Sequence, residues 1–349
     1  MKPTIRRSNN SKSLLNVFLV SNKAFLMALI MFIIVVSMSD VFLTRTNIMN
    51  LLRQMSANCL IALGFTLVIG YAEIDLSVGS VVAFIGVIMA VMMKYVGAPV
   101  WLAIIVGLLT GVICGSINAM LISAFNLPAF IVTLATQSVF RGLVYIITDM
   151  TPINGLPEQF IVIGQGYWLG VPIPVYIMFF FILLSFFLAD RTMFGRYVVA
   201  GGGNQEAAKA CGISISKTRL GIYFYMGICA TAAAVIMTGR TASAQVNAGT
   251  NMELDAIAAV VMGGTALSGG RINIIGTVFG ALIIALTSNS LNLLGISSNF
   301  QVIAKGVLIL LALVLDISTT NLLNRIREKQ ALATLGKNTT DDKPAADAL

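Results

Sequence analysis

The sequence predicts an all-α protein that crosses a membrane many times, and three observations support this fold class. Hydrophobic residues make up 58% of the 349 residues and charged residues only 10%, whereas a soluble globular protein has roughly 25% charged residues. The mean hydropathy is +0.92. The apolar residues are gathered into long segments that short polar links separate. Because each crossing needs roughly 20 residues, the chain has room for about ten transmembrane helices and for no large soluble domain.

The N-terminal region divides into a basic tail and a first helix. Residues 1–23 carry lysine and arginine but no acidic residue, which predicts a tail on the cytoplasmic side. The apolar residues 24–39 predict the first transmembrane helix. This segment is similar in length to a signal-peptide core, but many similar segments follow it, and we therefore interpret it as an uncleaved helix.

Nine further apolar segments are long enough, or nearly long enough, to cross a bilayer. They lie at residues 55–71, 77–93, 99–125, 128–147, 172–189, 218–238, 254–267, 273–294 and 300–315. The segment 254–267 is the weakest, because it is short and rich in alanine and glycine, so an arrangement of eight helices stays open. Closely spaced small residues, as in 107–116, predict tight packing, since van der Waals contact drives helix association in lipid.

Basic residues predict the orientation of these helices. Lysine and arginine are concentrated in the two tails and in the polar link 190–219. The links on the other side hold few basic residues: Arg45, Arg53, Lys94 and Arg240. The positive-inside rule then assigns both termini and the link 190–219 to the cytoplasm. We expect a transmembrane unit at residues 24–317 between cytoplasmic tails at 1–23 and 318–349.

The link 190–219 contains a short predicted helix. Asn204 is a favourable N-cap, and Glu206 lies in the first turn, where the helix dipole favours an anion. Gly212 can end the helix. The sequence therefore predicts a small exposed helix between two transmembrane helices.

The link between the second and third apolar segments, near residues 72–76, is very short. Asp75 or Ser77 can cap the helix that follows, and so few residues force the two helices into a hairpin. A direct role in gating or coupling is the alternative to simple capping. The candidates for that role are Asp75, Ser77 and Gly79.

Four ordered motifs carry a family resemblance. They are EIDLSVGS at 73–80, NLPAFIVTL at 126–134, FGRY at 194–197 followed by GNQEAA at 203–208, and ELDAIAAVVMGGT at 253–265 with LSGGR at 267–271. Together they resemble the permease subunit of bacterial ABC importers for ribose-type sugars, over about residues 53–315. One departure is visible: this family usually has a glycine pair where the chain has Ala72 and Glu73.

The resemblance implies a transport system with several partners in the bacterial cytoplasmic (inner) membrane. It implies a second permease copy or paralogue, a cytoplasmic ABC ATPase and an extracytoplasmic sugar-binding protein. The sequence has no G-x-x-x-x-G-K-[ST] phosphate loop, so ATP and Mg would bind to the ATPase, and we expect no cofactor in this chain. The short helix then resembles the coupling helix that docks in the ATPase. Its candidate residues are Gly203, Asn204, Glu206, Ala207, Ala208 and Gly212.

A neutral sugar requires hydrogen-bonding side chains along its route. Polar side chains inside the predicted helices are Asn58, Asn118, Thr133, Thr136, Gln137, Ser138, Arg141, Asn289 and Asn292. Of these, we select Asn118, Gln137, Arg141 and Asn292 as route candidates. Each can equally join two helices, a contact worth about 1 kcal/mol. An arginine at the bilayer centre costs roughly 3 kcal/mol, so we expect Arg141 to face the protein interior or water, or to snorkel outward. As a hypothesis, Arg141 lines the outer mouth of the route.

Other function classes have less support in the sequence. A permease for branched-chain amino acids would share this architecture, but the Ile-Asp-Leu-Ser hairpin favours a sugar. An ion-coupled secondary transporter would need ionisable residues paired inside the helices, and few are present. Without histidine, a metal constellation or a suitably spaced acid pair, we expect no catalytic and no metal-binding residues. The net charge of +8 lies in links and tails, so we expect no nucleic-acid partner.

Overall fold

The computed structural model describes residues 23–297, 300–307, 310 and 314, and most of these residues are helical. The helices are α1 Lys23–Met38, α2 Arg45–Gly70, α3 Val78–Lys94, α4 Val100–Phe125, α5 Ala129–Thr148, α6 Glu158–Gln165, α7 Ile173–Phe186, α8 Met193–Gly203, α9 Gln205–Ala210, α10 Ile215–Thr241, α11 Met252–Met262 and α12 Ile274–Leu293. A π-helix, Phe187–Arg191, extends α7. The strands are β1 Ile153–Asn154, β2 Tyr167–Trp168, β3 Val171–Pro172 and β4 Ser243–Ala244.

The helices confirm the predicted class of a helical membrane protein. Within the described ranges, six helices are long and apolar enough to cross a bilayer: α2, α4, α5, α7 with its extension, α10 and α12. Helices α1 and α3 are apolar but shorter. The last predicted span begins with the helical residues 300–307. Apart from Lys23, the two predicted tails lie outside the described residues.

Helix α11 confirms the expectation for the weakest predicted span. It has 11 residues, which at about 1.5 Å per residue is about 17 Å, well short of the hydrocarbon thickness of about 30 Å. The chain then continues without regular structure through residues 263–273 before α12 begins. The segment 254–267 therefore does not cross the membrane as one helix.

Helices α2, α10 and α12 form the interior, while α4, α5 and α7 are mostly exposed on the outside. Glycines allow the tightest contacts between them. A Cβ atom on Gly111 or on Gly227 would collide with the backbone of the other residue, so α4 and α10 touch directly. The small residues at 107–116 thus have the packing role predicted for them, because close backbone approach maximises van der Waals contact.

Two long helices are each followed by a non-helical segment and then by a shorter helix. The segment 71–77 joins α2 to α3, and the segment 242–251 joins α10 to α11. The two breaks meet where Gly79, at the start of α3, lies directly against Gly249. We call this contact the Gly79–Gly249 junction. Irregular backbone at membrane depth is tolerated where protein or a cavity surrounds it, and in transporters such breaks often form the substrate path.

The junction lies beside the middle of α5. Arg141 of α5 donates hydrogen bonds to the carbonyl groups of Val246 and Ala248, just before the junction. Near the start of the same segment, β4 pairs in antiparallel fashion with β1, with Ile153 opposite Ala244. These contacts hold the segment 242–251 in place from both sides.

Candidate coupling and translocation site

Helix α9 has the capping geometry that the sequence predicts. The Asn204 side chain accepts a hydrogen bond from the Ala207 N–H group at 2.9 Å, and Glu206 lies in the first turn. The chain leaves the helix through Gly212, which has a φ of +83° and donates its N–H to the Lys209 carbonyl at 3.0 Å. The N-cap and the terminating glycine are both confirmed.

Helix α9 presents one face to the outside. Glu206, Ala207 and Gly212 are exposed, as are Gly203 and Asn204 at its start. Ala208 is buried, with 5% of its surface exposed. Of the two alanines among the predicted coupling residues, Ala208 packs inward and Ala207 is exposed to a partner.

Helix α8, which was not predicted from the sequence, precedes α9 and ends in three glycines. A Cβ atom on Gly202 would collide with the Gly70 carbonyl at the end of α2. The Gly70 carbonyl also accepts a hydrogen bond from the Gly270 N–H at 2.9 Å. The backbone before α9 is thus packed directly against the end of α2 and the link 263–273.

A buried ion pair connects the hairpin segment 71–77 with the start of α10. The Arg219 Nε atom donates to the Glu73 Oε1 atom at 2.6 Å, and both residues are largely buried. The Arg219 Nη1 atom also donates to the Ser123 hydroxyl at 2.9 Å. Burial raises the pKa of the Glu73 carboxyl, and the Arg219 guanidinium opposes that shift. Sequence reasoning missed this pair, although Glu73 marks the departure from the family's glycine pair.

The predicted hairpin residues Asp75 and Ser77 belong to a buried hydrogen-bond network. An Asp75 carboxylate oxygen accepts from the Ser77 N–H at 2.9 Å and from its hydroxyl at 2.6 Å. The Ser77 hydroxyl accepts from the Asn118 side-chain amide at 2.8 Å. The Thr133 hydroxyl accepts from the Leu76 N–H at 3.1 Å. Ser77 occupies the N-cap position of α3 without capping it through its side chain.

The route candidates fall into three places. Gln137 and Arg141 lie together beside the Gly79–Gly249 junction, where Gln137 donates to Glu253 at 3.4 Å. Asn118 is completely buried and donates a hydrogen bond to the Ser77 hydroxyl. Asn292 is at the end of α12, where its side-chain Oδ1 atom accepts a hydrogen bond from the Gln301 side-chain amide at 2.8 Å. The structure therefore brings two of the four candidates together at the junction and adds Glu253, which sequence reasoning did not select.

Arg141 faces the protein interior, as expected for an arginine deep in a transmembrane helix. Its guanidinium is half-buried and binds backbone carbonyl groups of residues 246 and 248 at 2.7 and 3.1 Å. These contacts replace the water that a buried cation would lose. Arg141 thus shapes the segment that forms the junction.

The protein has one cavity beside the hairpin and another beside the start of α2 and the end of α12. One has a volume of about 500 Å³ and is lined by residues of the hairpin, α9, α10 and the turn before α5, including Glu73, Asn126, Phe130, Gln205 and Arg219. The other has a volume of about 630 Å³ and is mainly polar. Its lining includes Asn47, Arg53, Gln165, Tyr167, Arg240 and Asn292. Both volumes are in the range of small-molecule sites, about 300 to 1,000 Å³.

The chain is similar to known transport proteins over most of its length. Residues 47–313 match the family described as branched-chain amino acid transport system / permease component. The chain is 42% identical over 303 residues to the ribose import permease protein RbsC of Haemophilus influenzae, which covers 86% of this chain and 94% of that protein. No solved structure matches the chain.

Two further relatives extend this comparison. The chain is 46% identical over 294 residues to the ribose import permease protein RbsC of Bacillus subtilis, with 84% of this chain and 91% of that protein covered. It is 34% identical over 352 residues to the xylose transport system permease protein XylH of Haemophilus influenzae, with 83% and 94% covered. The matched region includes the hairpin, α9 and the Gly79–Gly249 junction. The chain therefore belongs to this family of membrane-spanning permease components of transport systems.

Proposed function

We propose that this chain is the permease subunit of an ABC importer that carries a monosaccharide or a related polyol. The observation that carries the proposal is its similarity, over more than four fifths of its length, to permeases named for ribose and xylose. The family description names branched-chain amino acids, but these relatives favour a sugar. Amide and hydroxyl side chains along the helices, such as Gln137 and Thr133, suit a neutral solute with many hydroxyl groups.

An ion-coupled mechanism has less support. In the described part of the chain, the ionisable pairs Glu73–Arg219 and Asp255–Lys305 are already satisfied within the protein, at 2.6 and 2.7 Å. Such pairs stabilise contacts between segments and do not by themselves provide an ion path.

The proposed system has three kinds of partner. A cytoplasmic ABC ATPase, which binds ATP and Mg, contacts the exposed face of α9 around Glu206 and Ala207. A binding protein delivers the sugar on the extracytoplasmic side, and a second permease copy or paralogue completes the membrane unit. Both termini of this chain then lie in the cytoplasm, in accord with the basic residues of the tails and of the link 190–219.

Reconstitution tests the proposal. The chain is purified with the ATPase and the binding protein encoded beside it, placed in proteoliposomes, and assayed for ATP hydrolysis and uptake with a panel of pentoses, hexoses, polyols and leucine. We expect hydrolysis to depend on the binding protein and to rise with one sugar, whose uptake follows. Stimulation by leucine alone would favour the amino-acid alternative. Solute accumulation by the chain alone along an ion gradient would overturn the ABC mechanism.

A further inference from the structure

We infer that the buried Glu73–Arg219 ion pair is a positioning element that transmits the movement of α9 to the hairpin 71–77 and so opens the Gly79–Gly249 junction. The inference rests on the proposed function, because it requires a partner that moves α9. It assigns a role to two residues that lie 146 positions apart in the sequence.

The first step is a firm connection between α9 and α10. Helix α9 ends at Ala210 and α10 begins at Ile215, so four residues separate them. Within this link, the Ile213 N–H donates to the Ala208 carbonyl of α9 at 3.0 Å. The buried Ala208 side chain also packs α9 against the rest of the protein. A partner that pushes on the exposed face of α9 therefore also displaces the start of α10.

The second step is the contact of α10 with the hairpin. Arg219 lies in the second turn of α10 and pairs with Glu73, and the Tyr71 hydroxyl donates to the Ile215 carbonyl at 3.1 Å. The Arg219 and Glu73 side chains keep only 10% and 6% of their surface exposed, so separating them would leave two largely buried charges without a partner, at a large penalty. The start of α10 and the hairpin must therefore move together.

The third step leads from the hairpin to the junction. Glu73 lies two residues before Asp75 in the hairpin, and the hydrogen bonds among Asp75, Ser77 and Asn118 hold the hairpin up to the start of α3, where Gly79 touches Gly249. At the junction the two backbones are in contact with no side chain between them, and Glu253 lies close to Gly79. A shift of the hairpin separates these backbones beside Gln137 and Arg141. Contiguous contacts of this kind are a physical basis for coupling between distant sites.

The test measures the number of sugar molecules taken up per ATP hydrolysed in proteoliposomes that contain the complete transporter. For Glu73→Gln we expect this ratio to fall about tenfold, a usual size for coupling between two sites, while hydrolysis stimulated by the binding protein stays at the wild-type rate. The control is Asp255→Asn, which breaks the other buried ion pair, with Lys305, and should keep the wild-type ratio. A wild-type ratio for Glu73→Gln would overturn the inference.

A second variant separates coupling from folding. Glu73→Gln leaves the Arg219 charge buried without its partner, whereas the double variant Glu73→Gln/Arg219→Met removes both charges and the contact between them. We expect the double variant to keep its thermal unfolding temperature and still to show the lowered ratio. A folded double variant with the wild-type ratio, or loss of folding in both variants, would show that the pair is only structural. Absence of sugar-stimulated hydrolysis in the wild type would instead contradict the proposed function itself.

Discussion

At the scale of single residues, the size of a side chain is decisive where two backbones touch. Gly202 and Gly203 are neighbours at the end of α8, yet their surroundings differ. A Cβ atom on Gly202 would collide with the Gly70 carbonyl, while one on Gly203 would lie 3.7 Å from the Gly270 Cα atom, an ordinary van der Waals distance. The same residue type is therefore required at one position and replaceable at the next.

This difference gives a matched pair of variants. Gly202→Ala should lower the free energy of unfolding by about 1 to 3 kcal/mol, because the methyl group overpacks a rigid backbone contact. Gly203→Ala should leave it unchanged or raise it slightly, since alanine favours the helix over glycine. Thermal unfolding of both variants in detergent checks this. Equal unfolding temperatures for the two would contradict the backbone contact between α8 and α2.

Asn47 and Asn289 show that polar residues in transmembrane helices can join two helices, which is the alternative to lining a solute route. Each side-chain amide donates to the other carbonyl oxygen, at 3.1 and 2.8 Å, and both residues are buried. Asn289 therefore joins α12 to α2. A double-mutant cycle with Asn47→Ala and Asn289→Ala should give a coupling energy of about 1 kcal/mol. Additive losses of stability in the cycle would show that the two side chains act independently.

At the scale of elements, α9 is a six-residue helix that cannot be stable by itself, because helix nucleation is costly. The Asn204 cap and the burial of Ala208 hold it in place. Its exposed residues are Glu206, Ala207, Lys209 and Ala210. A rigidly held helix with a small side chain at its exposed centre suits docking into a cleft of a partner.

The docking face can be blocked without disturbing the fold. Ala207→Trp should abolish uptake and the stimulation of ATP hydrolysis, because the indole group fills the space between α9 and the ATPase, and Glu206→Arg should do so by reversing the charge. Ile146→Trp is the control, since Ile146 is 78% exposed at the far end of α5. Pull-down of the ATPase with each variant measures docking directly. Normal transport by both α9 variants would contradict the docking assignment.

At the scale of the whole molecule, orientation in the membrane links the separate parts. The basic link 190–219 with α9 lies beside the hairpin and the cavity of about 500 Å³, and the proposed topology places the link that contains α6 on the opposite side of the membrane. Among the four cysteines, Cys211 at the end of α9 is exposed, whereas Cys59, Cys114 and Cys229 are buried. The protein thus contains a natural reporter of which side faces the cytoplasm.

Labelling of this cysteine tests the orientation and the docking surface together. A membrane-impermeant maleimide should label one site per chain in inside-out vesicles and none in right-side-out vesicles, because only Cys211 is exposed and the proposed topology places it on the cytoplasmic side. The Cys211→Ser variant should remain unlabelled. Bound ATPase should slow the reaction by covering α9. Labelling in right-side-out vesicles would reverse the proposed topology.

The sequence by itself determined the membrane class, the main helices and the capped helix α9, and it left open whether the segment 254–267 crosses the membrane. These features depend on local composition, on helix length against membrane thickness and on caps within a few residues. It also pointed to the hairpin and to Arg141 as an inward-facing residue, because a charge deep in the bilayer must find a partner.

Only the tertiary structure decided which segments meet. The Glu73–Arg219 pair, the Gly79–Gly249 junction and the inward position of Ala208 all depend on contacts between helices that are distant in sequence. Local patterns do not specify such contacts in a membrane protein, because lipid-facing and protein-facing surfaces are both apolar, and hydrophobic periodicity therefore does not identify the packed face. Close packing of small residues and the need of buried charges for a partner select the contacts once the helices assemble.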